Sequence, residues 1–283
     1  MNRLLKWLQE HKVANILILS TYFLAVVLPH KLFGSFLNKT VIGALGIDNN
    51  SPEGRAQYNA LALALGVIIL VIVLTFFIRN TRNQIEGKRL RALMVLNTFF
   101  AAIIVQFLFV VNIEMVHFPQ YALFAILLFP LVGNYTSTLI WATLAGMIDE
   151  AYQYFYLAPM DTAHYDFNDV LTNCIGAIFG LLFLRSFGTL EGTQFRLKRS
   201  TSWIGLALII MSVLVFHLAG VLSIYPSEVH DYHIVREMPA GFWSKVHPNV
   251  TYHVVRPIEG ILITISLWII FHQSLKVRGQ YDK

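Results

Sequence analysis

The sequence predicts an all-α, polytopic membrane helix bundle, and three observations predict it. Of the 283 residues 56% are hydrophobic and 13% charged, about half the charged share of an ordinary soluble domain. The mean hydropathy of +0.61 implies more apolar surface than one soluble core of this size encloses. The apolar residues gather in runs of about 20, the length a helix needs to cross a bilayer core. The same composition excludes intrinsic disorder. A single cysteine, Cys174, excludes an intrachain disulfide and any thiolate metal cage.

Eight spans are predicted, near 13–29, 58–78, 92–112, 118–133, 135–155, 169–187, 203–224 and 257–272. The first follows Arg3, Lys6 and Lys12 as a signal peptide would, but no small-x-small site follows Val27-Leu28-Pro29, so it reads as a retained anchor. Residues 31–47 are apolar but broken by Gly and Lys, which suits a helix lying in the interface. Ser51-Pro52-Glu53 reads as a helix start, with Ser51 as N-cap and Pro52 at the first helical position. The chain then divides into 1–91, with two spans and the interfacial segment, a four-helix core at 92–187, and 188–283, with two spans and an outer segment at 225–256.

Charge placement sets the expected orientation. Segments 1–12, 79–91, 185–201 and the C-terminal tail hold 15 of the 21 Lys and Arg residues. The alternate loops hold six: Lys31, Lys39, Arg55, Arg236, Lys245 and Arg256. By the positive-inside rule both termini are cytoplasmic. That topology accounts for the net charge of +5 and excludes nucleic acid as a partner; the bilayer is the partner expected.

Ionisable groups at membrane depth are expensive and need a reason. Glu114 and His117 sit where spans three and four meet, and Asp149, Glu150 and Gln153 close span five. Asp161, His164 and Asp166 follow in a short loop, and Asp169 and Asn173 open span six. All are expected on the outer side. Gln153 lies four residues after Asp149 and three after Glu150, so it shares a helix face with either. Gly176-x-x-x-Gly180 admits a close helix neighbour and places Asn173 in a helix–helix seam.

Paired carboxylates can act as general acid and base when burial drives them apart. With amide oxygens they can also hold a hard cation such as Mg²⁺ or Ca²⁺. They can equally form a structural network with Arg256 or Lys245. Glu114-x-x-His117 has the spacing of a carboxylate-bridged metal bundle but lacks the second copy such a bundle needs. His230, His233, His247 and His253 form a His-rich outer tract of the kind that binds zinc. Surface histidines are more often plain polar residues, and neither motif is assigned a metal. His217 and Cys174 read as packing residues inside spans.

The run Asp149-Glu150-x-x-Gln153, a short loop containing Pro159, then Asp169-Val170-x-x-Asn173-x-x-Gly176-Ala177-x-x-Gly180 resembles the signature of the VanZ-like family. His117-Phe118-x-x-Tyr121 is similar to that family's His-Phe at a span start. The resemblance covers about 95–187 and departs twice. Glu114 stands where the family usually has Lys, and Ala158-Pro159-Met160-Asp161 replaces its Pro-Gly-Arg turn.

The resemblance implies a bacterial inner-membrane protein of the cell envelope, associated with glycopeptide (teicoplanin) resistance, and supplies no reaction. On that reading Asp149, Glu150 and Asp169 form the catalytic or polar centre, while His117, Gln153, Asn173, Asp166 and Glu114 orient the ligand. The ligand expected is a lipid-linked or cell-wall component, the cofactor is unknown, and any enzyme activity would be that of a hydrolase or transferase. Two other classes fit less well. A transporter or flippase favours charges near the midplane and repeated halves. A partner-binding membrane protein would dock through 225–256.

Overall fold

The computed structural model describes residues 2–29, 32, 35–48, 51–157, 164–188, 199–236, 243–247 and 250–275. Lys31, the 158–163 stretch with Pro159 and Asp161, the basic residues Arg196 and Lys198, and the tail with Lys276, Arg278 and Lys283 lie outside them. In chain order the helices are α1 (Asn2–Glu10), α2 (Lys12–Val27), α3 (Pro52–Thr81), α4 (Gly87–Phe107), α5 (His117–Val132), α6 (Tyr135–Tyr152), α7 (Phe167–Arg185), α8 (Arg199–Leu218) and α9 (Pro257–Leu275). A 3₁₀ turn, Asn112–Val116, leads into α5, and π-helical turns span Leu37–Ile42 and Gln153–Leu157.

Each of the eight predicted stretches is helical over most of its length, and the seventh stops at Leu218. Among the described residues, six helices are long and apolar enough to cross a membrane, or seven if α1 and α2, bent by 106° at their junction, count as one. The chain is thus a multi-pass helical membrane protein. Helix α6 falls outside that set because it is polar, with three threonines and the Asp149-Glu150 pair. It tolerates them because neighbouring helices bury its Ser137, Thr138, Thr143, Asp149 and Glu150.

The helix ends follow local chemistry. The Ser51 hydroxyl accepts from the Gly54 amide at 3.0 Å, so α3 starts where the cap residue predicts. Gly133, at φ +77°, closes α5 in the left-handed conformation that a side chain disfavours. Asn134 follows at once as N-cap of α6, its side-chain oxygen accepting from the Ser137 amide at 2.8 Å. That one-two sequence folds α5 and α6 into a hairpin. Asn134→Ala is expected to destabilise by about 1 kcal/mol, read as a lower melting temperature in detergent.

Helix α7 is the axis of the bundle, with 83% of its apolar window buried against 6% for α3 and for α8. Lipid is as apolar as leucine, so helices join here by close packing and interhelical hydrogen bonds. A side chain at Gly176 would meet the Phe118 carbonyl at 2.7 Å, and one at Gly180 would overlap the Ala122 carbonyl. The predicted glycine seam therefore exists, and α5 is the helix that occupies it. The Asn97 amide donates to the Ile175 carbonyl at 3.2 Å, tying α4 to α7. The Trp268 indole donates to the Thr143 hydroxyl at 3.2 Å, tying α9 to α6.

The opposite end of α7 is locked by charge. Arg185, whose side chain is 4% exposed, donates to Glu86 at 2.7 Å and lies 5.2 Å from the Tyr135 ring centre. Short strands cover the end where α7 begins. Leu222–Ser223 (β1) pairs in parallel with Tyr232–His233 (β2), and Trp243–His247 (β3) pairs antiparallel with Val250–His253 (β4). Val235 bridges to His164, and the Tyr165 amide donates to the Ile234 carbonyl at 2.8 Å.

Candidate functional site

The site is built where four helix ends meet: the close of α4, the start of α5, the close of α6 and the start of α7. On α5, His117 and Tyr121 are one turn apart and share a face, with rings 18° from parallel. On α6, Asp149, Glu150 and Gln153 share the last turn, as their spacing predicts. Gln153 Nε2 donates to Asp149 Oδ1 at 3.3 Å and to Glu150 Oε1 at 3.2 Å. The backbone then widens into the π-helical turn, a deformation frequent at functional sites.

On α7, Asp166 caps the helix, its Oδ1 accepting from the Asn168 amide at 2.8 Å. Asp169 in the first turn faces the helix's positive end. Asn173, one turn further, accepts on Oδ1 from the His117 ring at Nδ1, 3.0 Å away. Gly146 of α6 makes room for it, since a side chain there would stand 2.9 Å from Asn173 Cβ. Two glycine-permitted approaches therefore pinch Asn173 between α5 and α6. Asn168 anchors the helix start from outside, donating to the Leu108 and His253 carbonyls at 3.1 Å and accepting from the Val255 amide at 3.0 Å.

The sequence-predicted residues do converge. His117, Asp149, Glu150 and Asn173 are all 3% exposed or less. The His117 Nε2 stands 4.0 Å from Asp169 Oδ2, and Asp169 keeps 16% of its side chain exposed. Among the described residues, ligand atoms of His117, Asp149 and Glu150 lie within 4.8 Å of one another. Glu114 is set apart on the 3₁₀ turn, close enough to feel the charges of Asp169 and Asp166. His117, three residues on, meets Asn173 and Asp169.

Tyrosines missing from the sequence-based set complete the arrangement. Tyr121 OH donates to Asp149 Oδ2 at 3.0 Å; its place one turn after His117 was the available signal. Tyr165 OH donates to the Met147 carbonyl at 2.6 Å. Burial first, then the charges of Glu150, Asp149 and Asp166, push the Tyr165 phenol well above its ordinary range, so it remains a donor. Tyr154 OH donates to the His233 carbonyl at 2.6 Å, and Arg236 lies over the Tyr154 ring at 4.0 Å. Residues 232–236 are thereby pinned over the polar end.

Among the described residues the histidines of the 230–253 tract have separate partners, and the His247 side chain lies outside them. His253 pairs with Glu259 at 3.0 Å, while His230 stacks on His217 with centroids 4.9 Å apart. Cys174 is a buried free thiol in the α7 core. A separate apolar cavity of about 450 Å³ opens beside Phe100, Phe107, Leu171 and Leu267.

Chemically, the centre offers one imidazole and two fully buried carboxylates held by donors, with a third carboxylate on the exposed flank. Such a set can bind a cation or pass protons between acids held at different depths. No family model matches the chain, and no curated protein or solved structure matches it.

Proposed function

We propose that this chain is a VanZ-like integral membrane protein of the bacterial cytoplasmic membrane, with eight spans and both termini in the cytoplasm. Its polar centre faces the extracytoplasmic side and binds or modifies a cell-envelope component, and through it the protein contributes to teicoplanin resistance. The observation that carries the reading is the burial of Asp149 and Glu150, at 0% and 3% exposure, beside His117 and Asn173. Among the described residues no Lys or Arg forms an ion pair with Asp149 or Glu150, and burying such carboxylates costs several kcal/mol, which a bundle needing only stability would avoid with apolar residues. Asp169, Asp166 and Gln153, less buried, form the approach to the centre. The outward direction rests on the 15 to 6 division of Lys and Arg. A lipid-linked ligand suits a polar centre at the end of apolar helices, where a headgroup and its tail are both accommodated.

The test is a resistance assay paired with a folding assay. Asp149→Asn and Glu150→Gln, which keep shape and remove charge, are expected to restore teicoplanin sensitivity at unchanged membrane abundance and melting temperature. Full resistance in both variants, or sensitivity only where the protein is lost from the membrane, would reject the reading.

A further inference from the structure

We propose that the apolar cavity between α4, α7 and α9 is the seat of a resident phospholipid, one acyl chain of which fills the cavity while its phosphate meets Arg256. The site lies apart from the polar centre and does not depend on the function assigned to that centre.

Three observations carry it. The first is where the cavity opens. Its floor is buried, made by Ile104 of α4, Leu171 and Ile175 of α7, and Leu267 of α9. Its rim is Ile103 and Phe107 on one side and Ile263 on the other, exposed by 37%, 44% and 38%. Both rim helices are among those long and apolar enough to cross a membrane, so the mouth opens sideways into hydrocarbon. An apolar wall gains dispersion contacts from any chain laid against it, and a bilayer offers lipid chains.

The second is size. The cavity measures about 450 Å³, inside the range of about 300–1,000 Å³ common to small-molecule sites. Its lining runs along α4 from Phe100 to Leu108, about 12 Å at the helical rise against about 15 Å for half a bilayer core. It therefore takes one chain from one leaflet. A polyprenyl chain, several times longer, would overfill it.

The third is charge at one end only. His253 and Val255 close the cavity where the strands lie. The next residue, Arg256, is exposed and forms no ion pair among the described residues. The Gly260 amide donates to the Arg256 carbonyl at 2.8 Å, which sets Arg256 in register with α9. Positions 256, 260, 263 and 267 then fall on one helix face, so Arg256 heads the stripe that continues through Ile263 and Leu267 of the cavity. The Glu259 carboxylate is engaged by the His253 ring at 3.0 Å and by the Arg256 amide at 3.1 Å. That leaves the guanidinium to a phosphate, whose geometry its fork of donors matches. The far end, at Phe100 and Leu267, is apolar, as a lipid tail requires.

The test places the full chain in vesicles of phosphatidylethanolamine and phosphatidylglycerol, a fraction of which carries a diazirine midway along one acyl chain. After irradiation, peptide mass spectrometry is expected to find the label concentrated at Ile103, Phe107 and Ile263 over the exposed Val71 of α3 and Ile210 of α8. Ile263→Trp and Ile103→Trp fill the mouth from its rim, and each is expected to cut that labelling severalfold at unchanged melting temperature. Leu262→Trp, on the more exposed neighbour, is expected to change nothing. In detergent, native mass spectrometry is expected to show one phospholipid retained per chain, and Arg256→Gln to weaken its retention about tenfold. Labelling spread evenly over the exposed apolar faces, labelling unaltered by both tryptophans, or retention unchanged in Arg256→Gln would overturn the proposal. So would preferred retention of a polyprenyl phosphate, or a crosslink between two copies of the chain through this groove.

Discussion

Gly180→Val is expected to eliminate the folded bundle, seen as loss of the monodisperse peak in detergent. The first carbon of any side chain at 180 overlaps the Ala122 carbonyl of α5 and comes within 2.8 Å of its Cα. Both are backbone atoms, and a helix backbone does not yield as a flexible side chain does. Helix α5 must therefore back away from α7. Because α7 is the axis, the movement also breaks the hydrogen bond of Asn173 to His117 two turns away. Gly180→Ala already meets the same atoms and is expected to cost more than about 3 kcal/mol. Gly66→Ala is the control. Its nearest neighbour is the tip of Met115, 3.0 Å away, and a methionine end rearranges at little cost.

Glu86→Ala carries the second largest expected loss, at the other end of the bundle. Arg185 is 4% exposed while Glu86 is 31% exposed, so the two halves of the pair are not equivalent. Removing the glutamate strands a buried guanidinium, a loss of about 3 kcal/mol or more. Arg185→Met leaves instead a half-exposed carboxylate that water can reach, and it is expected to cost less. Glu86→Gln keeps an acceptor oxygen and is expected to fall between the two. Thermal unfolding of the three variants in one detergent gives the order. If Arg185→Met proves the most damaging, packing of the arginine stem against Tyr135, rather than its charge, holds this end together.

Much of the fold was legible because membrane helices announce themselves by length and apolarity. The stretch 135–155 read as an apolar run, and α6 does run over Tyr135–Tyr152, although its threonines and the Asp149-Glu150 pair make it polar. The 106° bend between α1 and α2 was not legible. Residues 1–12 read as a basic flank, whereas Leu5 and Leu8 are each 1% exposed. An amphipathic segment of nine residues leaves too short a pattern to separate from a charged tail. The docking of 221–236 was equally hidden, since it runs through backbone groups such as the carbonyls of His233 and Ile234.

The site divides in the same way. Spacing along one helix gave Gln153 to Asp149 and Glu150, and the glycine pair predicted Asn173 in a seam. Which helix fills a seam is a tertiary fact, so the pairing of Asn173 with His117 needed the structure. The same holds for Tyr121 and Asp149, which are 28 residues apart in the chain. Glu114 stands three residues before His117, on a 3₁₀ turn whose pitch differs from that of the helix that follows.

The enclosure of α7 also bears on how the protein is made. A helix carrying Asn168, Asp169, Asn173 and Arg185 gains nothing from lipid and depends on its neighbours to shelter those groups. Three of them, α4, α5 and α6, are synthesised before it. The fourth, α9, which brings Trp268 to Thr143, emerges last among the described helices. During translation the axis of the bundle thus stands with one flank open until Pro257–Leu275 arrives. That interval is when an insertase or chaperone of the membrane has most to protect, and when truncation would leave Asn168, Asp169, Asn173 and Arg185 with an incomplete shelter.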